Sequence, residues 1–179
     1  VTLLLRLIRQ SRWDRPETLD WLADGEIPAD PLGDFANTND NRLSVWCVAD
    51  DQNDLNDVLA ALAASREKAD KLDFALFDYE HLYAARIEAR ETAGQTPDKE
   101  VNRRHRDLAH LSAEKVLVLT RKVWQVNDGL KRVDQRAAVQ LVAMAVSRGR
   151  ILLEELRPKL RDDVRSWLGE KSGGPRTPK

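Results

Sequence analysis

The densest run of side chains able to do acid–base or phosphate chemistry is Asn102-Arg103-Arg104-His105-Arg106-Asp107-Leu108-Ala109-His110. Imidazoles, guanidiniums and a carboxylate in so short a stretch could bind a phosphodiester, move a proton and stabilise developing charge. Read as a helix turning about 100° per residue, His105 lies about 40° from the Val101/Leu108 direction and His110 about 180° from it. One straight helix therefore cannot bring the two imidazoles to one substrate. The competing reading makes His105 a half-buried packing residue and Arg103, Arg106 and His110 a solvated face. Asp50-Asp51-Gln52-Asn53-Asp54-Leu55-Asn56-Asp57 lacks the sixth-position glycine and closing glutamate of a calcium loop, and reads as the start of a helix. Asp78, Glu80 and His81 are metal-ligand types, but three such residues within four positions seldom reach one ion. Neither a metal site nor a cofactor is predicted.

An Arg, a polar residue and a later His in a helical protein are similar to the motif of the HEPN ribonucleases, where Arg and His act on RNA after dimerisation. Here the match runs from Arg104 to His110, with five intervening residues where the usual motif has four. The resemblance implies Arg104 and His110 as the pair that would cleave RNA.

Charge is the other informative feature. Residues 1–100 hold 11 Lys/Arg against 21 Asp/Glu, whereas residues 101–179 hold 18 against 9, for a formal total of −1. An acidic first half and a basic second half bear on partners and assembly more than on fold. The basic half offers Arg103, Arg104, Arg106, Arg121 and Lys122 to a nucleic acid, without the signature of an RNA-recognition or helix-turn-helix module. Alternatively, the two halves attract one another within a chain or between chains. Of five tryptophans, Trp13 beside Arg12 and Arg15 is expected to be the most exposed, and tryptophan with arginine is a favoured interface anchor. Single Cys47, in an apolar run, reads as a buried inert thiol that excludes an intrachain disulfide and fits a reducing cytosol. No signal-peptide pattern opens the sequence, and the longest apolar run, Ala137 to Val146, falls short of the roughly 20 residues a membrane helix needs.

These residues must be positioned by elements read from period and punctuation. Thr2 to Ile8 and Leu43 to Val48 read as strands, the second from its β-branched and aromatic content. Leu55, Val58, Leu59 and Leu62 mark a helix, which begins near Asp51 or Asn53 and leads to a further strand at Phe74 to Phe77. Together these make a parallel, right-handed strand-helix-strand crossover. Everything later reads as helix: 79–91, 97–110, 112–126, 130–156 and 158–168, broken at Ser112, at Asn127-Asp128-Gly129 and at Pro158, with Gly149 interrupting the fourth.

The expected fold is thus mainly α with a small α/β portion, an acidic strand-helix-strand lobe over 1–95 packed on a basic helical bundle over 96–170. Residues 171–179 form a flexible tail, and the whole is one compact unit. The expected function is a non-catalytic cytosolic interaction or regulatory subunit, such as an inhibitor or accessory component, with another protein as partner. A nucleic-acid-binding helical module and the HEPN-like ribonuclease are the alternatives. The Ala137–Val146 run would also serve a homodimer.

Overall fold

The computed structural model describes residues 2–13, 21–126 and 130–172. It is an α/β fold in which strands and helices alternate along nearly the whole chain. Its elements are β1 (Thr2–Leu7), α1 (Ala29–Ala36), β2 (Leu43–Ala49), α2 (Leu55–Ala64), β3 (Leu72–Asp78), α3 (Glu80–Ala84), β4 (Glu88–Glu91), α4 (Lys99–Asn102), β5 (His105–Ala109), α5 (Ala113–Gln125), β6 (Leu130–Val133), α6 (Gln135–Ser147) and α7 (Pro158–Ser172). The strands form one six-stranded sheet in the order β4-β5-β2-β1-β3-β6.

The three predicted strands are present. Since β2 and β3 both run antiparallel to β1, they are parallel to each other, as the crossover requires, but β1 is inserted between them. No local pattern reports such an insertion. The mainly-α expectation is overturned by the three later strands. Predicted helix 79–91 is a five-residue helix and then β4; predicted helix 97–110 is a single helical turn and then β5; and 130–156 divides into β6, α6 and a short 3₁₀ turn at Leu153–Glu155. The physical reason is the partners. β5 is held on one side by β2, with Leu43 opposite Leu108, and on the other by β4, with Ala89 opposite Leu108. Two ladders outweigh a helical preference within five residues.

Punctuation at helix ends reads more faithfully. Ser112, an expected break, accepts the Lys115 N–H and is a true N-cap; Asp134, inside the predicted helix 130–156, accepts the Ala137 N–H and caps α6 instead. Gly149 follows α6 with φ +70°, a left-handed stop open to glycine at little cost. Pro158 opens α7 as expected.

Two compact units divide the chain: residues 1–53, 73–93 and 103–132 form the first, and 54–72, 94–102 and 133–179 the second. In the first, one sheet face carries α1, α3 and α5 over a core of Leu4, Val45, Ala75, Phe77 and Leu108 from the strands with Phe35, Leu82, Leu119 and Trp124 from the helices. Trp13 joins that core, its ring 5.8 Å from Phe35 and 6.0 Å from Trp124. In the second, α2 packs on α6 and α6 on α7. Among the described residues no helix is long and apolar enough to cross a membrane.

Candidate functional site

On the sheet face that carries α3, side chains from five places in the chain meet near the β4 edge. Val45 stands opposite Arg106, and Arg106 opposite Glu91. Alternation along β2 then puts Cys47 on the same face. Tyr79 leaves β3 with its N–H donated to the Thr2 carbonyl at 3.0 Å. One turn later on α3, Tyr83 sets its ring 5.7 Å from that of Tyr79 at 62°, edge towards face. Arg106 donates to Glu91 Oε1 at 2.8 Å and to the carbonyls of Arg103 and His105 at 3.0 and 2.8 Å. Cys47 and Tyr79 are half-buried against the core, whereas Tyr83 is 73% exposed and the Glu91 side chain 84% exposed.

Electrostatics decides what this group can do. Burial pushes the Cys47 thiol up, Arg106 and Arg104 oppose the rise, and Glu91 reinforces it. At neutral pH the sulfur keeps its proton and is a poor nucleophile. Arg106, already held by a carboxylate and two carbonyls, is not released to stabilise a thiolate. Tyr79 is pushed up as well, first by burial and then by Tyr83 and Cys47. The group therefore presents two hydroxyls, an exposed aromatic edge and one ion pair.

The opposite face of the same three strands carries a second polar row. Ser44, Asp107 and Arg90 are cross-strand neighbours. Ser44 Oγ donates to Asp107 Oδ1 at 3.3 Å, His105 Nε2 lies 3.8 Å from that oxygen, and His105 Nδ1 is 2.8 Å from Thr92 Oγ1. Serine, aspartate and histidine are thus gathered, but in the wrong order for a nucleophilic triad, which needs serine on the imidazole and carboxylate behind it. Here the hydroxyl spends its proton on the carboxylate. Burial pushes the His105 imidazole down, and Asp107 and Thr92 offset this only in part. This row ties strands together.

The residues singled out from sequence are scattered by the fold. Arg104 lies in the turn before β5 and His110 just after that strand, in a left-handed conformation at φ 54°. His110 contacts Arg90, and its Nε2 lies 3.6 Å from Glu88 Oε2. The helix on which the HEPN resemblance rested is a strand. Of the five basic candidates, Arg103 and Lys122 are exposed, Arg104 and Arg121 half-buried, and Arg106 paired with Glu91. Trp13 corrects the exposure expectation: it is 2% exposed, and its Nε1 donates to Asp34 at 2.8 Å. Arg12 is bound to Asp34 at 3.0 Å, and Arg15 lies outside the described residues. The Asn127-Asp128-Gly129 turn and most of the tail also lie outside the described residues, whereas Trp21 is described and exposed in a turn. Asp78, Glu80 and His81 do not gather, and among the described residues no cluster of three metal-ligand types occurs.

Sequence reasoning passed over Tyr79 and Tyr83. Their i, i+4 spacing was a usable signal, because residues four apart share a helix face. Cys47, Glu91 and Arg106 gave no such signal, being brought together by strand register alone. No family model, curated protein or solved structure matches this chain.

Proposed function

We propose that this protein is a non-catalytic interaction or regulatory subunit, working in the cytosol, whose partner protein docks on the Tyr79–Tyr83 pair. The observation that carries this reading is Tyr83: a large aromatic side chain, 73% exposed and steadied by a second tyrosine ring at 5.7 Å. Tyrosine concentrates binding energy at interfaces because it covers much area while losing few rotamers. Protonated Cys47 and Tyr79 and a self-satisfied Arg106–Glu91 pair give the surface a neutral centre with a charged rim, the composition of a protein contact.

The test is affinity capture of the tagged protein from its native extract, with nuclease, comparing wild type, Tyr83→Ser and Lys122→Gln. A stoichiometric protein that survives nuclease, is lost with Tyr83→Ser and stays with Lys122→Gln supports the reading. Tyr83→Ser itself should change stability by no more than about 0.5 kcal/mol, as an exposed substitution. Companions that vanish with nuclease in every variant would replace this reading with nucleic-acid binding, whose affinity should fall steeply with salt.

A further inference from the structure

In the second compact unit the end of α2, the 95–97 turn and the start of α7 enclose an open cavity of about 480 Å³. Arg157 and Arg161 supply one wall, Ser65 and Thr96 another, and Glu154 and Glu155 stand at the same cavity on the 3₁₀ turn before α7. Arg161 is half-buried, and its Nε is out of solvent without a protein partner. Among the described residues its guanidinium makes no ion pair or side-chain hydrogen bond. Its backbone N–H donates to the Arg157 carbonyl at 2.9 Å, so the two arginines are one turn apart on the same side of the helix. Among the described residues Arg157 pairs only with Glu67, at 4.0 Å and with both side chains mostly exposed, a pairing of little worth. Arg150 in the same unit shows what a settled arginine looks like, held between Asp57 and Asp98.

A guanidinium Nε withdrawn from water without a hydrogen-bond partner is destabilising, and such an atom lining a cavity points to a partner supplied from outside. Two arginines at this spacing match the fork of a carboxylate or phosphate oxyanion. The rest of the wall narrows the ligand. Ser65 Oγ donates to the Ala61 carbonyl at 2.9 Å, and Thr96 Oγ1 lies 2.8 Å from Asn102 Oδ1 and 3.2 Å from the Asp98 carbonyl. Both hydroxyl protons are spent, so these oxygens are left as acceptors. With the two glutamates they favour a ligand whose far end donates hydrogen bonds, and they disfavour a polyanion.

We infer that this cavity binds a small hydroxylated or aminated oxyanion, a phosphate monoester or hydroxycarboxylate, with its anionic end on Arg157 and Arg161. The test is titration calorimetry of the full chain with glycerol phosphate and with lactate, at matched ionic strength in chloride, for wild type, Arg161→Gln, Arg157→Gln and Lys122→Gln. Saturable binding of either probe, weakened at least tenfold by Arg161→Gln and by Arg157→Gln but unchanged by Lys122→Gln, is the expected result, and the preferred probe separates phosphate from carboxylate. The ligand-free melting midpoint of Arg161→Gln should hold or rise, since the arginine has no protein partner to lose. Absence of saturable binding by both probes, binding indifferent to Arg161, or an oligonucleotide displacing the probe through the same arginines would each overturn the inference. A fall in the ligand-free midpoint would overturn it too, by giving Arg161 a structural role.

Discussion

His105 shows how much of a residue's behaviour its surroundings decide. In sequence it is one of two histidines in a basic stretch; in the fold it is packed edge-to-face on Trp46 at 4.9 Å, bound to Thr92, and pushed down chiefly by burial. The unfolded chain's imidazole titrates near its ordinary value of about 6.5 and binds a proton that the folded one refuses. The stability contributed by the neutral imidazole is therefore complete above that pH and falls as the pH drops through it towards the lower folded value. Melting midpoints of wild type and His105→Gln, followed from pH 7.5 to 5, should converge at the acid end, because only the wild type carries this loss. Parallel curves would reject the assignment. Trp13 gives the same lesson at another site. Asp34, buried, accepts from its Nε1, from Arg12 and from the Arg9 N–H at 2.9 Å, so the motif that reads as an exposed anchor is internal bracing. Gly33 allows this: a Cβ there would stand 2.8 Å from the Arg12 guanidinium.

At the scale of elements, local chemistry sets ends better than it sets types. α6 is bounded by Asp134, whose Oδ1 accepts the Ala137 N–H at 2.8 Å, and by Gly149 at φ +70°. Asp134→Ala should cost about 1 kcal/mol through the lost cap. Gly149→Ala should cost about 1 kcal/mol through left-handed strain, with space around its Cβ excluding a clash as the cause. Urea unfolding of both single variants and the double checks this; the caps act at opposite ends of the helix, so the losses should add within about 0.5 kcal/mol. The misread elements are the short ones. β4, β5 and β6 span four, five and four residues, too few for a period of two to stand out from a period of 3.6.

For the whole molecule, the charge split along the sequence does not survive folding. Counted by compact unit, the first carries 15 Lys/Arg against 18 Asp/Glu and the second 14 against 12, formal charges of −3 and +2. The fold interleaves the halves, and basic residues of the second meet carboxylates of the first: Arg106 with Glu91, Arg132 with Asp73, and Arg150 with Asp57 and Asp98. The asymmetry that suggested partners is largely internal complementarity. Arg150 is the most committed: burial opposes its charge, but the bonds from Asp98 and Asp57 prevail and raise its pKa. Asp98, with 3% of its side chain exposed, also receives the N–H groups of Glu100 and Val101. Arg150→Ala should cost about 3 kcal/mol by leaving that carboxylate without its counter-charge, and Asp98→Asn in the same background should recover part of it. Denaturant midpoints that add independently would show that the pair is not coupled.

What the sequence by itself determined are features that depend on neighbours a few residues away. These are the strands at Leu43 and Phe74, the helix between them and the parallel sense of their crossover, together with the cap at Ser112 and the breaks at Gly149 and Pro158. Only the tertiary structure decided that β1 enters between β2 and β3, that His105–Ala109 is a strand, and that Cys47, Tyr79, Glu91 and Arg106 share one end of a sheet face. Each depends on which distant strand supplies hydrogen bonds and in what register. A five-residue stretch satisfies its backbone equally well as a helical turn or as a rung between two partners, and the choice belongs to the partners.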